Sequence, residues 1–576
     1  MRWTARPISD PGAVSQLTAE VTKDPLLAAL LVQRDITTFE DAKAFFRPDL
    51  NLLHHPYRMK DMERAVERIE KARIQQEHVM IFGDYDVDGT TSVALMAEFL
   101  EGKFPIEAYI PDRYKEGYGL SFDGINLAAE LGITLIIALD CGIKAFDQIA
   151  HARSLGIDVI VCDHHRPEET LPKAHAILDP KRPDCPYPYK ELSGCGVGFK
   201  LCQALCEHWG LPEEVHLHSL LDLCAVSIAA DIVHVTGENR LLAHYGLQRI
   251  RNGQARAGFM SLLEASAKAP ESLTLRDISF SIAPRINAAG RMESGLRAVE
   301  LLRSTDRAEQ DELAERINAF NQDRRETQAE IFEEAKAELD PENYPNSNVL
   351  YRPHWHKGVV GIVASKIVET HYRPTIILTK SGDHLGGSAR SVIGFDVYNA
   401  IEACEDHILQ FGGHKYAAGL TLDEAQLPQF KKAFEAYCTA NLTAEMKTPE
   451  LEYDAVASLD QFTERFYAVL SQMEPHGEAN QAPRFLIQNL VDAGGSKAVG
   501  ADESHLRVVL QHPGSATTMT GIAFGQGTWA GHLEAGGAVD IIASLEINEF
   551  RGQRNLQLMV EDIRTAQGKS WVGEVP

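Results

Sequence analysis

The sequence predicts an α/β chain of several domains, in which a parallel-sheet domain and a smaller α/β domain are joined by a long helix and followed by a C-terminal β-barrel. Short apolar runs alternate with helical stretches at about 25-residue intervals from His78 onward, which is typical of right-handed βαβ units. A charge-rich stretch without helix breakers fills 305–339, and short alternating segments follow from residue 452. The 576 residues exceed what one hydrophobic core supports and suggest about four domains.

The predicted elements divide the chain into five parts. The runs VMIF, EAYI, TLIIAL, DVIVC and AHAIL are the predicted strands of the first sheet. VLYRPHW begins the second α/β unit, which ends near AAGLTL. The expected parts are a helical N-terminal region (1–75), the parallel-sheet domain (76–300), a long connecting helix (301–340), the smaller α/β domain (341–445) and the β-rich unit (450–568).

Composition excludes several classes of protein. Hydrophobic residues make up 44% and charged residues 24%, which is ordinary globular usage. The start, MRWTARPISDPG, lacks the apolar core of a signal peptide, and no apolar run is long enough for a membrane helix. Nine cysteines without a CxxC pair favour a reducing compartment. We therefore expect a cytoplasmic protein that is not attached to a membrane.

Net charge restricts how the chain can meet a polyanion. The formal charge of −26 argues against bulk attraction to nucleic acid. A polyanion must then be met locally, either by a groove that gathers arginines or by divalent cations held on clustered carboxylates. The sequence contains candidates for both.

Acidic residues follow the first predicted strand at alternating positions. GDYDVDG contains Asp84, Asp86 and Asp88, and an extended strand end would place the three carboxylates on one side. Because like charges raise one another's pKa, a bound cation would relieve such a cluster. A solvated acidic loop or Asx turns are the alternative for an isolated DxD motif.

Later apolar segments end in the same way. TLIIALDCG ends in Asp140, DVIVCDHH in Asp163, His164 and His165, and LLDLCAVSIAADIV in Asp231. In a parallel sheet these side chains would face one edge, where they form a ligand set suited to Mg²⁺ or Mn²⁺. Two such cations could activate a water and clamp a phosphodiester. The absence of P-loop, GxSxG and GxGxxG motifs weakens the case for nucleotide motors and serine hydrolases.

These motifs resemble a known family. DHH at 163–165, preceded by the alternating aspartates and followed by the distant Asp231, resembles the DHH phosphoesterase superfamily, and GGHKYAAG (412–419) resembles its DHH-associated second domain. Within the superfamily the chain is similar to RecJ-type exonucleases, from about residue 50 to about residue 565. The most specific matching segments are GDYDVDGTTS, PDRYKEGYGL, LDCGI, CDHHRP, LSGCGVGFK, AADIV, APRINAAGRM, HKGVVGIVASKI, GGSARS and FGGHKYAAG.

The resemblance implies a two-cation centre holding Mn²⁺ or Mg²⁺. Asp84 and Asp86 would bind the first cation, Asp88, His164 and Asp231 the second, and Asp140 both. The catalytic residues would be Asp140, His164 and His165, with His165 approaching the scissile phosphate and Asp163 orienting the imidazoles. A packed, hydrogen-bonded histidine is the alternative for His165. Many relatives have asparagine where this chain has Cys141, a difference that removes no ligand.

The resemblance also implies contacts to the substrate. Arg113, Ser388 and Arg390 would bind a 5′-phosphate, because guanidinium groups match phosphate oxygens. His414 would contact a nucleotide, and Arg285, Asn287 and Arg291 would grip the DNA backbone. On sequence alone the serine and the two arginines of the first set are more often surface groups, and His414 is a loop residue beside a glycine turn. The residues of PRINAAGR are polar residues at the edge of a helix.

Two further sets are candidates for contacts with single strands. Tyr114 and Tyr118 could stack on exposed bases, although turn or core tyrosines explain them equally. The β-rich C-terminal unit resembles an OB fold, with Phe550, Arg551 and Arg554 as candidate contacts.

The implied function is a single-stranded-DNA-specific 5′ to 3′ exonuclease of bacterial recombination and repair, which releases mononucleotides from a strand with a 5′-phosphate. A single-strand-binding protein and a RecQ-type helicase would be its partners. One alternative is a phosphoesterase acting on oligoribonucleotides, cyclic dinucleotides or pyrophosphate. Another is an inactive scaffold, which predicts eroded ligands, whereas every expected carboxylate and both histidines are present here.

Overall fold

The computed structural model describes residues 1–339, 345–550 and 553–566, and for Phe550 and Gln553 it describes the backbone only. The chain begins with a short strand and three helices. They are β1 (Arg2–Ala5), α1 (Pro11–Leu17), α2 (Pro25–Val32) and α3 (Phe39–Phe46). Asp10, Asp24 and Thr38 cap the three helices by accepting backbone N–H groups.

The first α/β unit contains a five-stranded sheet in the order β3-β2-β4-β5-β6, all parallel. Its elements as far as the last strand are α4 (Met62–Gln75), β2 (Val79–Gly83), α5 (Val87–Leu100), β3 (Ile106–Tyr109), α6 (Phe122–Glu130), β4 (Leu135–Leu139), α7 (Phe146–Ser154), β5 (Asp158–Cys162) and β6 (Ala176–Leu178). The predicted parallel sheet is confirmed.

Both faces of this sheet are buried, which explains why its strands are continuous apolar runs. Alternate residues of β2 enter different cores: Ile81 packs with α4, α5 and the later helix 194–209, whereas Met80 and Phe82 pack with α6 and α7. Because helices cover both faces, the edge at the carboxyl ends of the strands is the open part of the sheet.

A helical region completes this unit and leads out of it. Its helices are α8 (Gly194–Trp209), α9 (Glu213–His216), α10 (Leu221–Asp231), α11 (Gly237–Arg251), α12 (Ala257–Ala265), α13 (Leu275–Asp277), α14 (Ala283–Met292), α15 (Leu296–Arg303) and α16 (Arg307–Ala337). A π-helix, Ile278–Ile282, precedes α14. The 31-residue helix α16 packs Leu313 and Ile317 into the first unit and Ile331 and Phe332 into the second. It therefore joins the two units through its packing as well as through the chain.

The second α/β unit has a mixed sheet in the order β10-β11-β9-β8-β7, in which only β7 and β8 are parallel. Its elements are β7 (Asn348–Tyr351), α17 (Val360–Thr370), β8 (Thr375–Ser381), β9 (His384–Arg390), α18 (Val397–Glu402), β10 (Gln410–His414), β11 (Ala417–Leu422) and α19 (Leu427–Asn441). The predicted start of this unit at 341 lies outside the described residues.

The C-terminal unit is a seven-stranded sheet that closes into a ring, because β14 pairs with both β18 and β16. Its elements are β12 (Glu450–Tyr453), β13 (Ala455–Val456), α20 (Glu464–Leu470), β14 (Phe485–Asp492), β15 (Lys497–Val499), β16 (His505–Gln511), β17 (Thr518–Ala523), α21 (Ala530–Glu534), β18 (Val539–Phe550) and β19 (Gln553–Thr565). Strand β12 lies outside the ring and pairs in parallel with β1.

The N-terminal region, predicted to be helical over 1–75, divides between two hydrophobic cores. Strand β1 pairs with β12, and α1 to α3 share a hydrophobic core with the C-terminal sheet, whereas α4 packs in the first α/β unit. Arg34 fixes this attachment, since it donates to Asn480 and to the carbonyl of Gln481. Nothing in the local pattern of residues 1–46 encodes pairing with a segment more than 400 residues away.

Three corrections concern the residues predicted to end strands. Only Asp84 of the alternating aspartates follows a strand directly; Asp86 is the N-cap of α5 and Asp88 lies in its first turn. Asp231 ends helix α10, not a strand. For Asp231, the apolar run LLDLCAVSIAADIV was compatible with helix or strand, because burial on all sides removed the periodicity that separates them. Asp86 and Asp88 belong to a helix because Asp86 caps α5 by accepting the N–H of Gly89.

Two partly buried histidines, His244 of α11 and His476, make the fold acid-sensitive. Burial and the charge of Arg34 lower the pKa of His476 from 6.5 to about 4, and burial and Arg240 do the same to His244. Because the unfolded chain binds the proton more tightly, stability is complete above about pH 6.5 and is lost as the pH falls toward 4.

We expect His476→Gln to reduce the loss of thermal stability between pH 7.5 and pH 5, an effect of up to about 2 kcal/mol at pH 5. Melting curves at the two pH values measure it, with the exposed His55→Gln as the control. An equal loss in the parent and in His476→Gln would contradict this assignment.

Among the described residues, no helix is both long and apolar enough to span a bilayer. All nine cysteines are buried free thiols. Cys202 contacts the sulfur of Met96 at 3.9 Å and belongs to the core of the first unit.

Candidate metal centre and substrate pocket

The predicted acidic residues converge at the carboxyl edge of the first sheet. Asp84, Asp140 and Asp163 directly follow β2, β4 and β5, which are neighbours in the sheet. All three are buried, with 1 to 2% of their surface exposed. The common edge follows from parallel pairing, since the carboxyl ends of adjacent parallel strands coincide.

Helices supply the remaining candidate ligands. Asp88, in the first turn of α5, accepts the backbone N–H groups of Gly194 (2.7 Å) and Cys195 (2.8 Å) at the start of α8, and the hydroxyl of Ser227 (2.7 Å). A carboxylate at a helix N-terminus is favoured by the helix dipole. Asp231 is brought in by the end of α10.

His164 lies at the middle of the cluster. Its Nε2 atom is 3.2 Å from Asp140 Oδ1, 3.5 Å from Asp231 Oδ2 and 3.8 Å from Asp88 Oδ2. Neither ring nitrogen of His164 makes a hydrogen bond to any described residue. The imidazole therefore faces three carboxylates but makes no aligned hydrogen bond to any of them.

Asp140 has a strained backbone conformation at the point where its side chain meets His164. Asp140 has φ of 59°, in the left-handed region that a residue with a side chain seldom adopts. A Cβ atom on Gly194 would lie 2.6 Å from Asp140 Cβ, so the close approach of α8 requires glycine there.

Crowding makes the metal-free cluster electrostatically unfavourable. Burial and then the charge of Asp88 raise the pKa of Asp140 and Asp231 well above the usual range. Burial and the charge of Asp86 raise the pKa of Asp84 to about 8. The arrangement thus holds several buried carboxylates whose mutual repulsion a bound cation would relieve.

The donor set fits hard divalent cations. Two groups of possible ligand atoms occur in the described residues, Asp140 with His164 and His165, and Asp88 with His164 and Asp231; within each group the atoms lie within 4.8 Å of one another. Asp84 Oδ2 and Asp140 Oδ1 are buried and lack hydrogen-bond partners among the described residues. Oxygen-rich sites with one imidazole suit Mn²⁺ and Mg²⁺. Asp84 and Asp86 fall outside the two groups.

Asp163 holds both histidines of the DHH motif. Its Oδ1 accepts the backbone N–H groups of His164 and His165 and lies 2.7 Å from His165 Nδ1, while Oδ2 accepts the N–H of Ile143. Burial opposes ionisation of Asp163, but the hydrogen bond and charge of His165 outweigh it and lower the pKa. Burial likewise opposes protonation of His165, and Asp163 reverses this and raises its pKa to about 9.

Tyr118 contacts His165 edge to face, with ring centres 5.7 Å apart. Its hydroxyl donates to the carbonyl of Asp140 at 3.1 Å and lies 3.2 Å from His165 Nδ1, yet 54% of the residue is exposed. Tyr118 thus borders the entrance of the cluster and limits the orientation of His165.

The segment carrying Arg113 and Tyr114 connects the cluster to the second unit. The guanidinium of Arg113 lies 4.3 Å from the centre of the Tyr85 ring. The hydroxyl of Tyr114 donates to the carbonyl of Arg291 at 2.9 Å, and Arg291 donates to the carbonyl of Gly358, just before α17. Tyr114 is therefore part of the contact between the two α/β units.

Ser388 and Arg390 form a small polar site in strand β9 beside the start of α17. Arg390 Nη1 donates to Ser388 Oγ at 2.7 Å. A Cβ atom on Gly361, in the first turn of α17, would lie 3.0 Å from both groups, so glycine lets Ser388 and Arg390 approach the helix backbone closely. A guanidinium, a hydroxyl and a helix N-terminus together favour an anion.

His414 is exposed at the end of β10, not in a loop. Ala417 of β11 pairs with both His414 and Arg390, so the three residues form one row across the sheet. At about 4.8 Å per strand, His414 lies roughly 10 Å from Arg390.

The three polar residues of α14 do not share one face. Asn287 and Arg291 are about one turn apart, whereas Arg285 points to the other side and donates to Asn318 of α16 at 3.0 Å. For the C-terminal unit, Arg551 and the side chain of Phe550 lie outside the described residues. Arg554 pairs with Glu549 at 3.3 Å on an exposed surface.

Sequence reasoning missed the groups that support the ligands. Ser227, Cys195 and Gly194 hold the carboxylate of Asp88, and Tyr85 packs against Arg113. LSGCGVGFK was visible as a glycine-rich segment, but nothing in the sequence indicated that its backbone N–H groups face Asp88.

Comparisons with known proteins match the three units in order. Residues 78–228 match the DHH family, N-terminal domain, residues 346–440 the DHHA1 domain, and residues 453–562 the RecJ OB domain. The structure superposes on the crystal structure of RecJ in complex with Mn²⁺ from Thermus thermophilus with a TM-score of 0.84 and 28% identity, covering 100% of this chain and 81% of that one. The Mg²⁺ complex from the same organism gives a TM-score of 0.76, with 27% identity and coverage of 98% and 79%.

Curated relatives extend over nearly the whole chain. The single-stranded-DNA-specific exonuclease RecJ of Bacillus subtilis (strain 168) is 36% identical over 572 residues, which cover 98% of this chain and 71% of the relative. The exonuclease RecJ of Escherichia coli (strain K12) is 34% identical over 566 residues, covering 94% and 96%. On this similarity and the shared order of domains, the chain belongs to the RecJ family.

Proposed function

We propose that this protein is a single-stranded-DNA-specific exonuclease that hydrolyses phosphodiester bonds from a phosphorylated 5′ end and releases 5′-mononucleotides. The observation that carries the proposal is the convergence of the buried carboxylates on His164 at the carboxyl edge of the first sheet. Membership of the RecJ family supplies the substrate class. Roles in recombination and repair, a single-strand-binding protein and a RecQ-type helicase belong to the same proposal.

The ligand assignment is part of the proposal. Asp84 and Asp86 would hold one Mn²⁺ or Mg²⁺, Asp88, His164 and Asp231 a second, and Asp140 both. When bound, such cations lower the pKa of a water and polarise the phosphodiester. The chain itself excludes solvent from the cluster by burying Asp84, Asp88 and Asp140, and orients the imidazoles through Asp163. His165, held as a proton donor by Asp163, would contact the scissile phosphate.

The units have separate parts in this proposal. Residues 76–300 would carry the chemistry, 301–340 would set the spacing of the α/β units, 341–445 would bind the strand end and 450–568 would bind more distant nucleotides. Residues 1–46 would support the C-terminal unit, with which they share a core. Asn287 and Arg291 would contact the DNA strand from one face of α14, and Arg285 would contact it from the other face of this helix.

We further propose that Ser388 and Arg390, with Arg113, bind the 5′-phosphate and that His414 contacts the terminal nucleotide. Two features support this: the close approach of Ser388 and Arg390 to Gly361 at the start of α17 and the shared row of Arg390 and His414. Burial lowers the pKa of Arg390, so a bound anion would stabilise a charge that the protein alone leaves poorly compensated.

We expect Arg390→Ala to reduce the preference for 5′-phosphorylated over 5′-hydroxyl strands at least about tenfold, because a buried charge-assisted hydrogen bond is worth roughly 1.5 to 3 kcal/mol. Competition between two differently labelled strands measures the ratio. Arg373→Ala serves as a control from the same unit, just before β8. An unchanged ratio in Arg390→Ala would remove this residue from end recognition.

A digestion assay tests the function itself. Single-stranded DNA labelled at either end, duplex DNA, a dinucleotide and pyrophosphate are each incubated with Mn²⁺ or Mg²⁺. Mononucleotide release from the 5′ end of single strands is the expected result. Cleavage of the dinucleotide or pyrophosphate alone would instead make the protein a small-substrate phosphoesterase, and no cleavage would favour the scaffold.

A further inference from the structure

Strand β6 also ends in a buried carboxylate at the edge that carries the metal centre. Asp179 directly follows β6, in which Leu178 pairs with Cys162, the residue before Asp163. The backbone N–H of Asp163 donates to the carbonyl of Leu178 at 3.0 Å, so Asp163 and Asp179 are neighbours. Asp179 is fully buried and belongs to neither group of possible ligand atoms. It is therefore part of the wall beside the metal centre.

Asp179 fixes a turn that carries a lysine. Its Oδ1 accepts the backbone N–H of Lys181 at 2.7 Å. On the other side of the turn, the buried Arg182 donates to the carbonyl of Ile177 at 2.6 Å and to Asp61 at 2.8 Å. Because the backbone is held on both sides, only rotations within the side chain of Lys181 change where its ammonium group lies.

The ammonium group of Lys181 reaches from the end of β6 toward the start of α8. Its Nζ lies 3.4 Å from Glu191 Oε2, and 27% and 37% of the two side chains are exposed. Glu191 precedes by three residues Gly194, whose backbone N–H binds Asp88. Lys181 thus lies between a strand end of the metal-bearing edge and the helix start that positions a candidate ligand.

The charge of Lys181 acts on two candidate ligands of the second cation. Burial lowers the pKa of His164, and the charges of His165 and Lys181 act in the same direction. Burial and the charge of Asp88 raise the pKa of Asp231, and His165 and Lys181 oppose this rise. Lys181 is therefore close enough to the cluster to act on it alongside His165, the residue proposed to contact the scissile phosphate.

The pair of Lys181 with Glu191 is suited to exchange. Ion pairs with this degree of exposure contribute little to stability, because water screens them and two long side chains must be held. A lysine ammonium is a compact charge on a flexible stem, so it can leave a carboxylate for a phosphate oxygen. Negative charge develops on the phosphoryl oxygens during hydrolysis, and a cation already in place stabilises it.

We propose that Lys181 is a further substrate-contacting residue, which leaves Glu191 when a strand binds and donates to a non-bridging oxygen of the scissile phosphate. This rests on the proposed function, since it assumes a phosphodiester at the metal centre. Lys181 keeps its proton throughout and contributes charge alone, so the contact adds no covalent step. Glu191 is its partner only while the site is empty.

Cleavage rates of four variants test the contact. Lys181→Gln should lower kcat/KM for a 5′-phosphorylated single strand about tenfold, as expected for one charge-assisted hydrogen bond at a partly exposed site. Lys181→Arg, which keeps the charge, should stay within about threefold of the parent. Glu191→Gln breaks the same ion pair but leaves the lysine in place, so it should be at least as active as the parent. Lys173→Gln, an exposed lysine between β5 and β6, is the matched control.

A binding measurement without metal locates the contact on the substrate. The probes are two 3′-fluorescein oligothymidylates with a 5′-phosphate, one with a neutral methylphosphonate at its first linkage, measured by fluorescence anisotropy in EDTA. The ratio of the two Kd values should shift at least about threefold in Lys181→Gln, because the phosphodiester alone loses a charged partner. The ratio should be unchanged in Lys173→Gln. Calorimetric Mn²⁺ titrations should give Lys181→Gln the affinity of the parent.

Each contrary outcome has a distinct meaning. Parent-like cleavage by Lys181→Gln, or an equal loss in Lys181→Gln and Glu191→Gln, would overturn the proposal, the second outcome by showing a structural ion pair. Weaker Mn²⁺ binding by Lys181→Gln with an unchanged ratio of Kd values would overturn it in favour of support for the metal centre. If the parent does not cleave single strands, the proposed function fails, and this inference fails with it for a reason that the parent alone reveals.

Discussion

Asp140→Asn is expected to lower strand hydrolysis by on the order of 10³-fold or more while raising the melting temperature of the metal-free protein. Asp140 lies 3.2 Å from His164 and has an unpartnered buried oxygen among the described residues. Cation polarisation of a phosphodiester supplies several kcal/mol, and each 1.36 kcal/mol is a factor of about ten in rate. An amide cannot replace the charge of a shared carboxylate ligand.

The stabilisation follows from the same crowding. Burial and the charges of Asp88 and Asp86 raise the pKa of Asp140, so its ionised form is costly in the folded protein. Asparagine keeps the shape and removes one charge from the cluster. If the weaker repulsion raises the free energy of unfolding by about 1 kcal/mol, the melting temperature would rise by roughly 2 to 4 °C.

Melting curves in EDTA and across a Mn²⁺ titration, together with a cleavage assay, measure both effects. The rise in melting temperature that Mn²⁺ gives the parent should be small or absent in Asp140→Asn. Asp147→Asn, an exposed carboxylate on α7, is the matched control. Cleavage within about tenfold of the parent would contradict the bridging role of Asp140.

The sequence predicted the acidic residues that directly follow strands of the first parallel sheet. Asp84, Asp140 and Asp163 each follow an apolar run, and parallel pairing alone brings such residues to one edge. Asp88 and Asp231 belong to the same cluster by a different route, since helices deliver them. Their convergence depends on how α5, α8 and α10 pack, which residue spacing does not encode.

The remaining differences arise from contacts between distant segments. The N-terminal strand pairs with β12, and α1 to α3 complete the core of the C-terminal unit, so their apolar faces indicated burial without indicating the partner. Arg285 and Arg291 were grouped because they are close in sequence, yet the turn of α14 sends them to different neighbours. Tyr114 and Tyr118 remain candidates for base stacking, and the hydroxyl of each donates to a backbone carbonyl that the sequence did not indicate.

His165→Ala is expected to lower kcat by roughly 10² to 10⁴-fold with little change in the Mn²⁺ concentration needed for half-maximal activity. His165 donates to Asp163 and lies beside Tyr118 at the entrance of the cluster, where an imidazolium can face a phosphate. Its ring is also one of a group of possible ligand atoms with Asp140 and His164. These two roles make different predictions for metal affinity.

Comparison with Asp163→Asn separates the roles. Asp163 holds the backbone and ring of His165 and the backbone of His164, so its replacement should lower kcat and also weaken Mn²⁺ binding by about 10- to 100-fold, as is typical when a residue that orients a metal ligand is lost. His165→Ala should show the first effect alone. Calorimetric Mn²⁺ titrations of the two variants and the parent decide this: a comparable loss of Mn²⁺ affinity in His165→Ala would make His165 a metal ligand, and a normal kcat would return it to the role of a packed, hydrogen-bonded histidine.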